Sequence, residues 1–226
     1  RRIISLHEEA DELLLSSGKL TMGLLRLAAV GPFHATEMVA RFLGKYPAIK
    51  VNMALGNSDQ TLQRILGLEA DVAIIADNVA DPRVASIPFS THEVVAFVST
   101  DHPWSKRHSV SISEFAREPL IWREKGSTTR RAFEKAATEA GVELQPLLEI
   151  GSREGVWKAV EQGLGVGIVA DFEFVAHPRL HILRIMDADI STEYHIACLK
   201  ERVQSPKIMA FIETVRPRQK STAGPQ

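Results

Sequence analysis

The sequence is short of several things, and each shortage narrows what it can be. One cysteine, Cys198, stands in 226 residues, so no internal disulfide can close and no zinc spacing is on offer. That excludes the small disulfide-stapled class and fits a reducing, cytoplasmic setting. No apolar run approaches the ~20 residues needed to cross a bilayer, so no membrane partner is expected. The opening RRIISLHEEADELLLSSG lacks the unbroken apolar core and small-residue cleavage site of a secretory signal. It begins abruptly in a helical pattern without Met, as a fragment of a longer chain would.

Excess charge is lacking too. Lys and Arg number 27 against 28 Asp and Glu, a formal net charge of -1, so nothing marks this chain as a nucleic-acid binder by itself. Catalytic signatures are missing: there is no GxSxG elbow, no HExxH and no GxxxxGK phosphate loop. No nucleophile, base and orienting group assemble, so no enzyme is expected. His177 and His181 have helical spacing, but they flank Pro178 in a segment that reads as loop and strand. Neither a metal nor a cofactor is expected.

What is present is an ordinary globular composition, 45% hydrophobic and 24% charged. Arg1 to Ser17 reads as a helix, with Ile3, Leu6, Ala10 and Leu13 forming a short heptad-like seam. Strands and helices then alternate. LLRLAAV, Leu24 to Val30, is the near-continuous apolar run of a strand covered on both faces. A helix follows Gly31-Pro32 and ends before Pro47. IKVNMAL is a strand, Asn57 or Ser58 caps the next helix, and DVAIIA is a third strand. Short loops make this a parallel β-α-β-α-β unit. The pattern repeats more loosely, with strands at EVVAFVST, PLIW, LLEI, VGIVA, LHILRI and TEYHIACLK. Helices are expected after the caps Ser111, Ser127 and Ser152, and over SPKIMAFIETV; STAGPQ reads as a disordered tail.

The stretch GLGVGIVA invites a dinucleotide-binding reading, but its order is wrong for one. In that fingerprint the glycines follow a strand and open a helix. Here the helix SREGVWKAVEQ comes first, Gly163 falls at its left-handed C-terminal stop, and the strand follows. Gly165 and Gly167 then allow close packing of a buried strand.

The helix N-termini are better candidates for chemistry. Four follow strand ends and carry small donors: Gly31-Pro32-Phe33-His34, Gly56-Asn57-Ser58, Gly126-Ser127-Thr128-Thr129-Arg130 and Gly151-Ser152-Arg153. Free backbone N–H groups, hydroxyls and the helix dipole favour an anion at each. Arg123, Arg130 and Arg153 could add bidentate clamps. Asp77, just past the third strand, could meet an amine, and His34 is the best candidate for a titrating contact. The plainer reading is that Asn57, Ser127 and Ser152 only cap their helices. Four such ends together favour a small-anion site.

GLLRLAAVGPFHATEMVARFLGKYPAIKVNMALGNSDQTLQRILGLEADVAII resembles the effector-binding region of LysR-type transcriptional regulators. Phe42, Tyr46 and Pro47, then Gly56, then Asp71-Val72-Ala73-Ile74 carry the family pattern, and EIGSREGVWKAVEQGLGVGIVA resembles its second half. The resemblance covers Leu20 to about Val215. It implies an α/β fold of two Rossmann-like subdomains joined by two crossover strands, a type 2 periplasmic-binding-protein-like architecture preceded by a linker helix. The implied division is residues 1–18 as the end of the linker and dimerisation helix, 19–93 plus 200–216 as subdomain I, 94–199 as subdomain II, and 217–226 as tail. The implied effector site between the subdomains holds Pro32, Phe33, His34, Asn57, Ser58, Asp77, Arg123, Ser127, Thr128, Thr129, Arg130, Ser152 and Arg153.

The same resemblance implies a small anionic effector as ligand and a homodimer or homotetramer. DNA would be bound only through an N-terminal winged helix-turn-helix absent from this chain. REKGSTTRRAFE and GSRE are similar to a branch associated with aminoethylphosphonate catabolism, whose phosphonate would suit the Ser, Thr and Arg donors. A solute-binding protein serving a transporter shares the architecture and is the alternative; the missing signal peptide and the heptad-like helix count against it. An enzyme acting on a phosphorylated substrate is a second rival, without an acid–base constellation to support it.

Overall fold

The computed structural model describes residues 22–77 and 79–216. The expected first helix, Arg1 to Ser17, and the expected tail, 217–226, lie outside them. In chain order the elements are β1 (Gly23–Ala29), α1 (Pro32–Lys45), β2 (Ile49–Leu55), α2 (Ser58–Leu66), β3 (Val72–Ala76) and β4 (Val84–Ser99). Next come β5 (Ser109–Val110), α3 (Ile112–Phe115), β6 (Leu120–Arg123), α4 (Thr128–Glu139), β7 (Pro146–Ile150) and α5 (Arg153–Glu161). The series closes with β8 (Gly167–Ala170), a 3₁₀ turn at Asp171–Glu173, β9 (Leu180–Ile185), β10 (Ser191–Leu199) and α6 (Pro206–Val215).

The chain forms two compact units. Described residues 22–56, 61–89 and 195–216 make the first, and 57–60 with 90–194 make the second. The expected division falls at 93 and 199. Here β4 and β10 each start in one unit and finish in the other, so the crossover strands themselves contain the boundaries.

In the first unit the strand order is β2-β1-β3-β10-β4. β1 pairs in parallel with β2 (Leu27 opposite Met53) and with β3 (Leu27 opposite Val72). Leu25, Leu27, Ala28 and Ala29 are all buried, which is why β1 reads as an unbroken apolar run: both of its faces are covered. Pro32 opens α1 at a position where its missing N–H costs nothing. That helix buries Ala35, Met38 and Phe42, and the Phe42 ring meets Phe211 of α6 edge to face at 5.3 Å. Each such buried large side chain contributes about 1.5–3 kcal/mol of transfer free energy.

In the second unit β4 runs antiparallel to β8 (Val95 opposite Val169) and to β9 (Phe97 opposite Ile182). β6 and β7 pair in parallel, and Leu120 of β6 bridges to Val166 just before β8. Trp122, Phe115 and Phe133 fill the core beneath, with Phe115 and Phe133 ring centroids 4.9 Å apart. Ser111 and Glu114 form the capping box that their spacing implies.

The glycines of GLGVGIVA are structural. Gly163 sits at φ +76 after α5. A Cβ on Gly165 would stand 2.0 Å from the Pro119 carbonyl oxygen, and one on Gly167 would stand 2.8 Å from the Phe97 ring. One expectation needs correction: β4 begins not at Glu93 but at Val84, and it runs for 16 residues. Its first half, VASIPFSTH, is only partly buried and contains Pro88, so no apolar run announces it.

Candidate functional site

The residues that could receive an anion gather where β6 ends and α4 begins. Ser127 is the N-cap of α4, and its Oγ accepts from the Arg130 backbone N–H. Thr128 Oγ1 stands 2.7 Å from Ser58 Oγ and accepts from Arg131 Nη2 at 3.0 Å. Ser58 belongs to the 57–60 segment that counts with the second unit. Asn57 caps α2 through a reciprocal pair with Gln60: its Oδ1 accepts from the Gln60 N–H at 2.9 Å, and its own N–H donates to Gln60 Oε1 at 3.0 Å. Gly126 is small because Asn57 leaves no room, with the amide nitrogen 2.5 Å from where a Cβ would lie.

The three arginines already hold carboxylates of the protein. Arg123 donates from Nε and Nη2 to Glu124, both at 2.8 Å, and Asn57 Nδ2 donates to the same carboxylate at 3.1 Å. Burial alone would raise the Glu124 pKa, but the hydrogen bonds and charge of Arg123 with the Asn57 amide outweigh it and hold the carboxyl below its ordinary range. Arg130 is buried and donates to Glu134 (2.7 Å), to Glu149 (2.7 Å) and to the Arg123 carbonyl (2.6 Å). Arg153 donates from Nη2 to Glu173 Oε1 at 2.6 Å. Glu173 is 2% exposed. Its burial pushes its pKa up, against the opposing charges of Arg153 and Arg123.

A narrow pocket in the second unit is lined by Arg123, Ser127, Thr129, Arg153, Val156, Trp157, Ile168, Val169 and Glu173. With Glu173 seated on Arg153 it has room for at most about one water molecule. Four of the thirteen sequence-predicted residues meet there: Arg123, Ser127, Thr129 and Arg153. Thr128 and Arg130 are buried beside it in contacts of their own, and Ser152 is exposed, its Oγ accepting from the Gly155 N–H at 3.1 Å. In the first unit Pro32, Phe33 and His34 form the opening turn of α1, where the His34 ring meets Phe89 edge to face at 5.0 Å. Asp77 is exposed just past β3, with φ at +68, a left-handed conformation that Asp tolerates better than most residues.

Sequence reasoning missed Glu173, Trp157 and Glu124. Glu124 adjoins Arg123 and reads as a solvated pair, while Glu173 lies in DFEF with nothing nearby in sequence to show that it is buried. Trp157 lies on α5, packed against Phe174 and Phe97, and its indole N–H is buried without a hydrogen-bond partner among the described residues. His181 Nε2 lies 2.6 Å from the Arg107 carbonyl oxygen. Among the described residues no group of three His, Cys, Asp or Glu is placed to hold a metal, and no helix is long and apolar enough to cross a membrane.

A family model described as the LysR substrate binding domain matches residues 16–220. The chain is 28% identical over 214 residues to the HTH-type transcriptional regulator CbbR of Rhizobium meliloti (strain 1021), covering 92% of this chain and 67% of that one. It spans about two thirds of the length of the curated relatives that it matches. Among solved structures, the regulatory domain of Synechocystis PCC6803 CcmR in complex with 2-PG superposes with a TM-score of 0.78 at 26% identity, covering 89% of this chain and 99% of that one. The effector binding domain of QuiR in complex with shikimate gives a TM-score of 0.79 at 20% identity over 86% of this chain and 96% of that one, a likeness of fold.

Proposed function

We propose, from the premise that this chain belongs to the LysR substrate-binding domain family of LysR-type transcriptional regulators, that it senses a small anionic effector for a bacterial regulator. The observation that carries this reading is the pocket at the head of α4. It is lined by two guanidinium groups, Arg123 and Arg153, and by Ser127 and Thr129 at a helix N-terminus, a setting that favours negative charge. The complex of the CcmR regulatory domain with 2-PG supports a small ligand for a domain of this kind.

The finer reading is a phosphonate, aminoethylphosphonate being the first to test, since three tetrahedral oxygens suit converging N–H and hydroxyl donors. The chain performs no covalent chemistry in this reading. It assembles as a homodimer or homotetramer in the cytoplasm, and the whole regulator binds DNA through a winged helix-turn-helix outside this chain. Effector binding alters transcription only if the ligand prefers one conformation of the regulator over another.

Calorimetric titration of the protein with 2-aminoethylphosphonate, inorganic phosphate and small carboxylates tests the site. Saturable heat from at least one, weakened tenfold or more by Arg153→Ala, is expected. No heat from the phosphonate removes the finer reading, and none from any of them removes the anion site.

A further inference from the structure

The pocket does not present bare positive charge. Its two arginines are each matched by a carboxylate, Glu124 on Arg123 and Glu173 on Arg153, so the four groups sum to neutrality. The two pairs differ in what it costs to part them. Glu124 is about one-fifth exposed and can turn to water, whereas the Glu173 side chain is 2% exposed.

A ligand anion that takes Arg153 for itself removes the hydrogen-bonded partner of a buried carboxylate and leaves only the charge of Arg123 to oppose it, which is unfavourable. A ligand that also carries an ammonium group avoids that penalty. Its anionic head replaces Glu173 on Arg153, its ammonium replaces Arg153 on Glu173, and each buried charge keeps an opposite one. The pocket has room for at most about one water while the pair is closed, so a ligand seated in it against Arg153 must part the pair. Trp157, whose indole N–H is buried without an acceptor among the described residues, is one of the residues that line the same pocket.

We infer that this pocket selects zwitterions, compact molecules with an anionic head and an ammonium group, and that Glu173 is the residue that receives the ammonium. The inference rests on the effector-site reading above and names the ligand class of that same site. It assigns to Glu173 the amine-binding role that the sequence suggested for Asp77.

Two isosteric pairs test it by calorimetry on the unmodified protein: 2-aminoethylphosphonate against n-propylphosphonate, and β-alanine against butyrate. Within a pair the shape is nearly constant and only the ammonium is exchanged for a methyl group. At least one zwitterion is expected to bind tenfold or more tightly than its isostere, and Glu173→Gln is expected to erase that preference. Asp77→Asn is expected to leave it unchanged. If neither zwitterion binds more tightly than its isostere, the zwitterion inference fails while the anion site stands. If none of the four binds, the zwitterion inference fails, and the anion site fails with it only if inorganic phosphate gives no heat either. The wild-type comparison decides the matter even where Glu173→Gln does not fold.

Discussion

Asp71 and Arg202, 131 residues apart in sequence, meet at 2.9 Å in the interior of the first unit, their side chains 0% and 7% exposed. The same carboxylate accepts from the Arg26 backbone N–H at 2.8 Å and from Arg26 Nη2 at 3.1 Å, and Lys207 Nζ lies 3.6 Å away. One buried acid therefore ties the start of β3 to β1, to the turn after β10 and to the first turn of α6. Removing it strips a single anion from three cations, the kind of loss that costs about 3–5 kcal/mol in a buried network. Asp71→Asn is expected to shift the urea midpoint of the first unit down accordingly.

The pH dependence of that cluster has a definite sign. Burial alone would raise the Asp71 carboxyl pKa, but the Arg26 hydrogen bonds and the Lys207 charge together outweigh it and hold the pKa below its ordinary value. A carboxyl depressed by folding contributes stability that is complete above its unfolded value and is lost as pH falls through its folded value. Stability measured by urea titration should therefore fall on the acid side, and Asp71→Asn should flatten that limb. An unchanged slope in the variant would assign the acid sensitivity to other carboxyls.

Two glycines make opposite predictions. Gly165 faces the Pro119 backbone so closely that a methyl group would sit 2.0 Å from the carbonyl oxygen, and backbone cannot move aside cheaply. Gly165→Ala is expected to cost about 3 kcal/mol or more. Gly44, near the end of α1, has nothing within 4 Å of where a methyl group would lie, and Gly44→Ala should stabilise by about 0.5–1 kcal/mol through helix propensity. Paired thermal melts separate the two outcomes by sign.

The legibility of the fold followed the burial of its strands. β1, β3 and the second half of β4 are covered on both faces and announce themselves as apolar runs, and caps such as Ser111, Ser127 and Ser152 act within three residues of sequence. The first half of β4 and the two-residue β5 depend on neighbours supplied from elsewhere in the chain, so no local pattern marks them. The candidate site divides in the same way. Its donors at Ser127, Thr129 and Arg153 sit at helix starts, where local rules apply. The acids that occupy its arginines do not: Glu173 reaches Arg153 across 20 residues, and only tertiary packing buries it.

Arg130 and Arg153 have the same side chain and are both candidates from sequence, yet their surroundings predict different phenotypes. Arg130 is fixed by Glu134, Glu149 and the Arg123 carbonyl, joining α4 to both strands of the β6–β7 sheet. Arg153 lines the pocket and holds the acid whose release a ligand requires. Glu134 and Glu149 are 40% and 50% exposed, so solvent screening discounts their pairs, and the expected cost of Arg130→Met is about 2 kcal/mol of stability. Measured well below its melting temperature, that variant should bind the preferred ligand within about threefold of the wild type, because neither Arg130 nor the two carboxylates it releases, Glu134 and Glu149, line the pocket. Arg153→Met should lose tenfold or more in affinity even when measured well below its melting temperature, and it should lose stability as well, because it leaves the buried Glu173 without its hydrogen-bonded partner. A binding defect as large in Arg130→Met as in Arg153→Met would place both guanidinium groups on the ligand and refute the division between strut and receptor.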